Sequence, residues 1–209
     1  MPRHFDFTVM YAAHDAFRRD TDRLRDAAAA GAGADPAVLK GWRTFRRELH
    51  LHHLAEDTAL WPSLRAALTD RAAADLSVLE AMDTEHQRLD SLVAGVEEAL
   101  TAGDQSILAQ RAEDLALALD DHLEREEELA LPLIQAALPE EGWLAYKAES
   151  RRLHGLRGAA VYLPWLLDGT PLGEQRRLLS LLPPPARVLY RTLWRPRYLG
   201  RRLWAFPAG

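Results

Sequence analysis

The chain has 209 residues, with 26 lysines and arginines against 31 aspartates and glutamates, a net charge of −5, and no cysteine. The length suits a domain of about 150 residues with an extension. The missing cysteine excludes thiol catalysis, disulfides, thiolate zinc sites and cysteine-held iron–sulfur clusters, so any metal must sit on nitrogen and oxygen. Every acidic residue lies at or before Glu174 and eight arginines follow it. Such an acidic body argues against nucleic acid as the partner of the main domain, because phosphate binding needs positive charge.

Alanine, leucine, arginine and glutamate dominate and β-branched residues are few, which favours helices. Apolar spacing at three and four residues predicts five of them in chain order. The first runs from about Thr8 to Ala30 and stops at Gly31-Ala-Gly33. The second starts after Asp35-Pro36, an N-cap with proline at the first helical position, and reaches about Leu68. The third covers about Asp70 to Leu100 and ends at Thr101-Ala-Gly103-Asp104, where glycine stops one helix and aspartate caps the next. The fourth runs to about Leu138. After Pro139 a more aromatic fifth helix spans about Glu141 to Leu167, and Asp168-Gly-Thr-Pro171 breaks it. Leu172 to Leu182 predicts a short helix, Pro183-Pro-Pro185 reads as a stiff spacer, and a basic aromatic tail follows. The expected architecture is all-α: an up-down-up-down four-helix bundle over 1–138, additional helices packed on it over 139–182, and the proline-spaced tail over 183–209. The start of the chain has no apolar signal core, and no stretch approaches the ~20 apolar residues of a membrane span, so a cytoplasmic protein is expected.

Histidines stand at 14, 52, 86 and 122, one in each of the first four predicted helices, at intervals of 38, 34 and 36 residues. In antiparallel helices joined by short turns, residues equally far before and after a turn lie level. His14 and His52 flank the Gly31 turn in this way, His52 and His86 the turn near Thr69, and His86 and His122 the Gly103 turn. The four imidazoles therefore fall in one layer. Two helices add a carboxylate one turn on, as His52-x-x-x-Glu56 and His122-x-x-x-Glu126, and a proline six residues after each glutamate, Pro62 and Pro132. The halves read as a duplicated helical hairpin. Four imidazoles and two carboxylates in one layer suit borderline metals such as iron, and two bridging carboxylates suit a pair of ions better than one.

In the order His, His-x-x-x-Glu, His, His-x-x-x-Glu, the stretch from about Thr8 to Leu138 resembles the hemerythrin-like family, in its bacterial branch. The resemblance implies that His14, His52, Glu56, His86, His122 and Glu126 bind two non-haem irons, oxo- or hydroxo-bridged, with Glu56 and Glu126 as bridges. It departs from the oxygen carriers of the family, which have a second histidine one turn away on the third helix. The residues four positions either side of His86 are Met82 and Asp90, which leaves one iron short of a nitrogen and argues against reversible oxygen carriage. The resemblance implies redox chemistry on small oxygen or nitrogen species, with hydrogen peroxide first and nitric oxide or dioxygen behind it. The alternative is a non-catalytic protein that senses or stores dioxygen or iron. Repair of iron–sulfur clusters is disfavoured, because the cysteine-bearing region of those relatives is absent.

Several neighbours are expected to support the site. His53 with Asp57 offers a competing register, but Leu123 occupies the matching place on the fourth helix, so His53 is expected to support a ligand or lie at the surface. Asp57, Glu127 and Asp90 are candidates to orient imidazoles through their second nitrogens. His154, beside Gly155 and Gly158, is a candidate cap for the open iron position. Trp61, Trp143 and Trp165 read as core aromatics. The tail from Arg187 interleaves arginines with large apolar residues and suits either an anionic membrane surface or partner, or an arm packed on the acidic bundle of its own chain or of a dimer mate.

Overall fold

The computed structural model describes residues 4–68 and 73–206, and among these there is no strand. Helix α1 (Thr8–Ala29) ends at Gly31, whose φ of 67° closes the helix by directing Ala32 N–H back to the Ala27 carbonyl at 2.8 Å. Helix α2 (Pro36–Ala55) begins where the Asp35 carboxylate accepts from Ala37 N–H, a cap worth about 1 kcal/mol. It passes through a π turn, π1 (Glu56–Leu60), into α3 (Trp61–Ala67). The expected helix start at Asp70 lies outside the described residues, and α4 is described from Ala73 to Ala102. Asp104 then caps α5 (Gln105–Arg125), which continues through π2 (Glu126–Ala130) into α6 (Leu131–Ala137). The aromatic α7 (Glu140–Leu166) follows.

The π turns answer a mismatch visible in the burial pattern. From His52 the buried side chains recur every four residues, as His52, Glu56, Leu60, Leu64 and Leu68, and from His122 as His122, Glu126, Ala130, Ile134 and Leu138. At 3.6 residues per turn, four such steps drift roughly 160° around a straight helix. A π turn takes up one residue and returns the row toward the same face. Trp61 N–H donates to the Glu56 carbonyl, and Leu131 N–H to that of Glu126, five residues back in each case. Pro62 and Pro132 come next. Proline has no N–H and its ring collides with the carbonyl four residues back, so a widened turn before it removes the conflict.

Helix α1 packs on α2 and α5, α4 packs on α5, and α3 packs on α4, which closes the four-membered bundle. Its interior has two apolar halves. One contains Phe17, Trp42, Phe45, Leu49, Leu89, Leu119 and Leu123, the other Met10, Leu60, Trp61, Leu64, Met82, Leu131 and Ile134. Each of the four helices carries its histidine or glutamate where it passes from one half to the other. Helix α7 lies over α2 and π1 and bends at Gly155, whose φ is 57°.

The C-terminal region differs from the sequence expectation. Pro183 is the N-cap of a helix rather than part of a spacer, and the chain continues as α8 (Leu172–Ser180), α9 (Pro184–Leu189), a third π turn π3 (Tyr190–Trp194) and α10 (Arg195–Gly200). Tyr190, Trp194 and Tyr198 again repeat at four residues, and Pro196 follows the turn as Pro62 and Pro132 do. Tyr198 and Trp204 join the first apolar half of the core. Trp204 N–H donates to the Ala37 carbonyl at 3.0 Å, and its ring lies so close to Gly41 that a Cβ there would collide with it. The described part of the tail is therefore packed on its own bundle.

Candidate metal centre

Between the two apolar halves five imidazoles and two carboxylates meet in a buried layer. His14, His86, His122, Glu56 and Glu126 are all at most 4 % exposed, and His52 and His53 little more. Two groups are close enough to hold an ion each: His14, His52 and Glu126, and His53, His86 and His122. Glu56 lies across both, with one carboxylate oxygen 3.0 Å from His52 Nε2 and the other 3.6 Å from His86 Nε2. Glu126 approaches His14 Nε2 at 3.3 Å.

His53 corrects the sequence expectation. It is buried, and one residue past His52 it points about 100° further round α2, toward α4. There its ring stacks on that of His86 with centroids 4.0 Å apart and planes 12° apart, and it meets His122 edge-on. An imidazole from the second predicted helix thus stands beside His86, where the third offers no further histidine. Met82 is buried in the apolar half, and Asp90 is exposed beside Arg46 in a surface groove, so Asp90 orients no imidazole. His154 is corrected as well. Its Nε2 lies 3.0 Å from the buried Glu48 carboxylate, which Arg47 also holds, and its Nδ1 lies 2.8 Å from the Ser150 carbonyl. With both nitrogens engaged, it stands outside both groups that could hold an ion.

The outer nitrogens of the cluster are tied to acids. His14 Nδ1 donates to Glu127 at 2.7 Å and His86 Nδ1 to Asp57 at 2.8 Å, as the sequence suggests for those two acids. His122 Nδ1 donates to Glu85 at 3.0 Å, a partner the sequence reading missed although it adjoins His86. Arg18 reaches Glu127 at 2.8 Å and Arg125 reaches Glu85 at 2.8 Å, so each acid is held in place by an arginine as it accepts from its imidazole. A ring whose Nδ1 donates outward presents the bare lone pair of Nε2 inward.

Those inward atoms test whether a metal fits. The Nε2 atoms of His14, His52, His53, His86 and His122 and all four oxygens of Glu56 and Glu126 are buried without a hydrogen-bond partner. An unsatisfied buried polar group costs about 1–3 kcal/mol, so nine of them would rival the whole net stability of a domain, about 5–15 kcal/mol. Cations among them convert that penalty into bonds, and the donor set of imidazole and carboxylate suits iron. Without ions the layer settles its charge internally. Burial pushes His52 down to about 3 and His53 well below its ordinary range, so both are neutral. Burial acts against charge on His14 and Glu126 too, but their mutual attraction prevails, raising His14 to about 9 and holding Glu126 at about 2. Glu56 is pushed up by burial and by the Glu126 charge.

A cavity of about 780 Å³ lies beside the layer, with His52, Ala13 and Met10 in its wall together with Tyr146, His154 and Tyr162 of α7. None of His53, His86 and His122 lines it. Burial raises both tyrosines above their ordinary range, with Glu56 adding to the shift, so both keep their phenolic protons. Tyr146 OH donates to the weakly accepting Met10 Sδ, at 3.5 Å.

A helical bundle with this histidine and carboxylate layer defines a class of cation-binding protein. The chain belongs to the hemerythrin HHE cation-binding domain family, whose model matches residues 6–134, over half its length. The domain binds metal ions, typically iron. The comparison with curated proteins finds no match, nor does the comparison with solved structures. Among the described residues no helix is long and apolar enough to cross a membrane.

Proposed function

We propose that the protein holds two non-haem irons, one on His14, His52 and Glu126 and the other on His53, His86 and His122, with Glu56 and Glu126 between them, and that it decomposes hydrogen peroxide. The observation that carries this reading is the set of nine buried, unpaired nitrogen and oxygen atoms facing one another across the layer. Two irons together supply a two-electron redox change, which matches the conversion of two peroxide molecules into two of water and one of dioxygen. The chain's residues hold, shield and donate. Asp57, Glu85 and Glu127 fix the rings, and the leucine, alanine and phenylalanine side chains above and below keep bulk water from the layer. The cavity lets a small molecule reach the His52 side, and Tyr146 and Tyr162 present neutral hydroxyls there, able to donate a hydrogen bond to an oxygen atom of the bound molecule.

The test is metal analysis with an absorption spectrum, then oxygen evolution on adding peroxide. About two irons per chain, near-ultraviolet charge-transfer bands of a bridged ferric pair and released oxygen are expected. One zinc per chain after growth in iron-rich medium would sink the iron pair. A fully loaded protein that neither evolves oxygen nor consumes peroxide with a reductant, yet binds dioxygen or nitric oxide reversibly, is instead a carrier or sensor.

A further inference from the structure

The cavity is far larger than peroxide requires. A water molecule takes up about 30 Å³ of liquid and peroxide only modestly more, whereas this space is about 780 Å³, within the roughly 300–1,000 Å³ typical of pockets for organic ligands. Its chemistry is specific. Aromatic rings of Phe5, Trp143, Tyr146 and Tyr162 supply flat walls, and Leu144, Leu181 and Leu182 continue an apolar lining toward the outside. The charged groups at its edge balance, with Asp6 and Glu140 against Lys147 and Arg151. The two tyrosines are neutral. Nothing in this lining selects a strong acid or base, while the rings favour stacking with another ring, and Ser150, Asp6 and the phenols offer hydrogen bonds to hydroxyl groups.

We propose that the cavity binds a neutral aromatic diol of the hydroquinone class, carrying an apolar extension, and that this molecule is the electron donor for peroxide reduction. The inference rests on the peroxide reading above and extends it to the second substrate. The balance is complete: the diol loses two electrons and two protons to become a quinone, and peroxide takes up both to become two molecules of water. The aromatic walls place the ring beside His52, within reach of the layer, and the leucines hold the extension.

The experiment uses 1,4-naphthohydroquinone as probe under anaerobic conditions with the full chain. Calorimetric titration of the metal-free and iron-loaded protein should show saturable binding of about one molecule per chain in the micromolar range. Peroxide added to the loaded complex should yield one naphthoquinone per peroxide. Val9→Trp and Leu181→Trp place indoles at exposed positions of the cavity wall. Each should weaken probe binding at least tenfold, leaving helix content by circular dichroism, iron content and the spectrum with azide, a small ligand, unchanged. Failure of the probe to bind, or binding that the indoles do not weaken, overturns the inference even where oxygen release from peroxide alone persists. Binding without peroxide-dependent quinone formation overturns the donor role. If no donor supports peroxide consumption and no oxygen is released, the peroxide reading itself has failed.

Discussion

The two halves of the ligand layer come from similar stretches of chain yet differ in kind. Around His53, His86 and His122 there are three imidazoles, two of them stacked, with Asp57 and Glu85 behind them. Around His14 and His52 there are two imidazoles and the Glu126 carboxylate, with Glu127 behind, and one of these imidazoles borders the cavity. The duplicated hairpin builds the frame twice, but the extra imidazole stands on one side and the approach on the other. On the function proposed above, the nitrogen-rich side would anchor its ion, and the side with fewer nitrogens and a cavity would be where an incoming molecule meets the pair.

The strongest way to break this contrast is His53→Leu, which makes α2 match α5, where Leu123 stands. Bound iron should fall from about two to about one per chain with helix content retained. Two irons held as tightly as before would return His53 to a supporting role. The second test is pH. His14, raised to about 9, holds a proton in the empty layer at neutral pH and must lose it to bind an ion, and burial shifts Glu56 in the same direction. A proton held in the empty state and lost on loading means that affinity rises with pH, by about tenfold per displaced proton per pH unit at most. A pH-stat should record at least one proton released per chain on loading at pH 7, from His14. Release of none would show that the layer is already deprotonated.

The orienting acids come next. Asp57→Ala and Glu85→Ala should each weaken the ion on the three-imidazole side by about 10–100-fold, and Glu127→Ala the ion on the other side, measured by chelator competition. Resolving two iron environments by Mössbauer spectroscopy shows which ion each variant loosens, and the same ion responding to all three would erase the contrast. The smallest effect is on turnover. Tyr146→Phe removes one hydroxyl from the cavity side and should slow peroxide breakdown by about tenfold, the worth of one hydrogen bond, with iron content unchanged. An unchanged rate would remove Tyr146 from the reaction.

Much of this was legible in the chain because histidine spacing, helix stops and hairpin duplication carry geometric information directly. The layer of His14, His52, His86 and His122 and the pairing with Glu56 and Glu126 follow from turn positions and one-turn spacing. His53 did not follow, because the duplication itself argued against it: Leu123 fills the equivalent place, and only the direction in which α2 faces α4 decides the matter. The available signal was the nitrogen missing beside His86 together with an adjacent histidine about 100° further round. Glu85 escaped notice because its role depends on the facing of α4 toward α5. Asp90 sat at the right sequence spacing on the wrong side of its helix. At the C-terminus, prolines suggested a spacer where Pro183 and Pro184 begin a helix, and removal of the tail would strip Trp204 from its place against Gly41.

The three π turns have a consequence for how such a helix can change length. Each stores one surplus residue at a fixed address, six positions before a proline, and the third does so beside Tyr190, away from the ligand layer. The device is therefore a phase adjuster belonging to the helix rather than a by-product of coordination. Removing a residue anywhere else in α2 or α5 turns everything beyond it by about 100° and carries ligands away from the layer. Removing Ala59 together with Pro62→Ala should instead discharge the surplus, straighten the segment and leave both flanking faces in phase, so the chain has places where a one-residue change of length is silent in geometry.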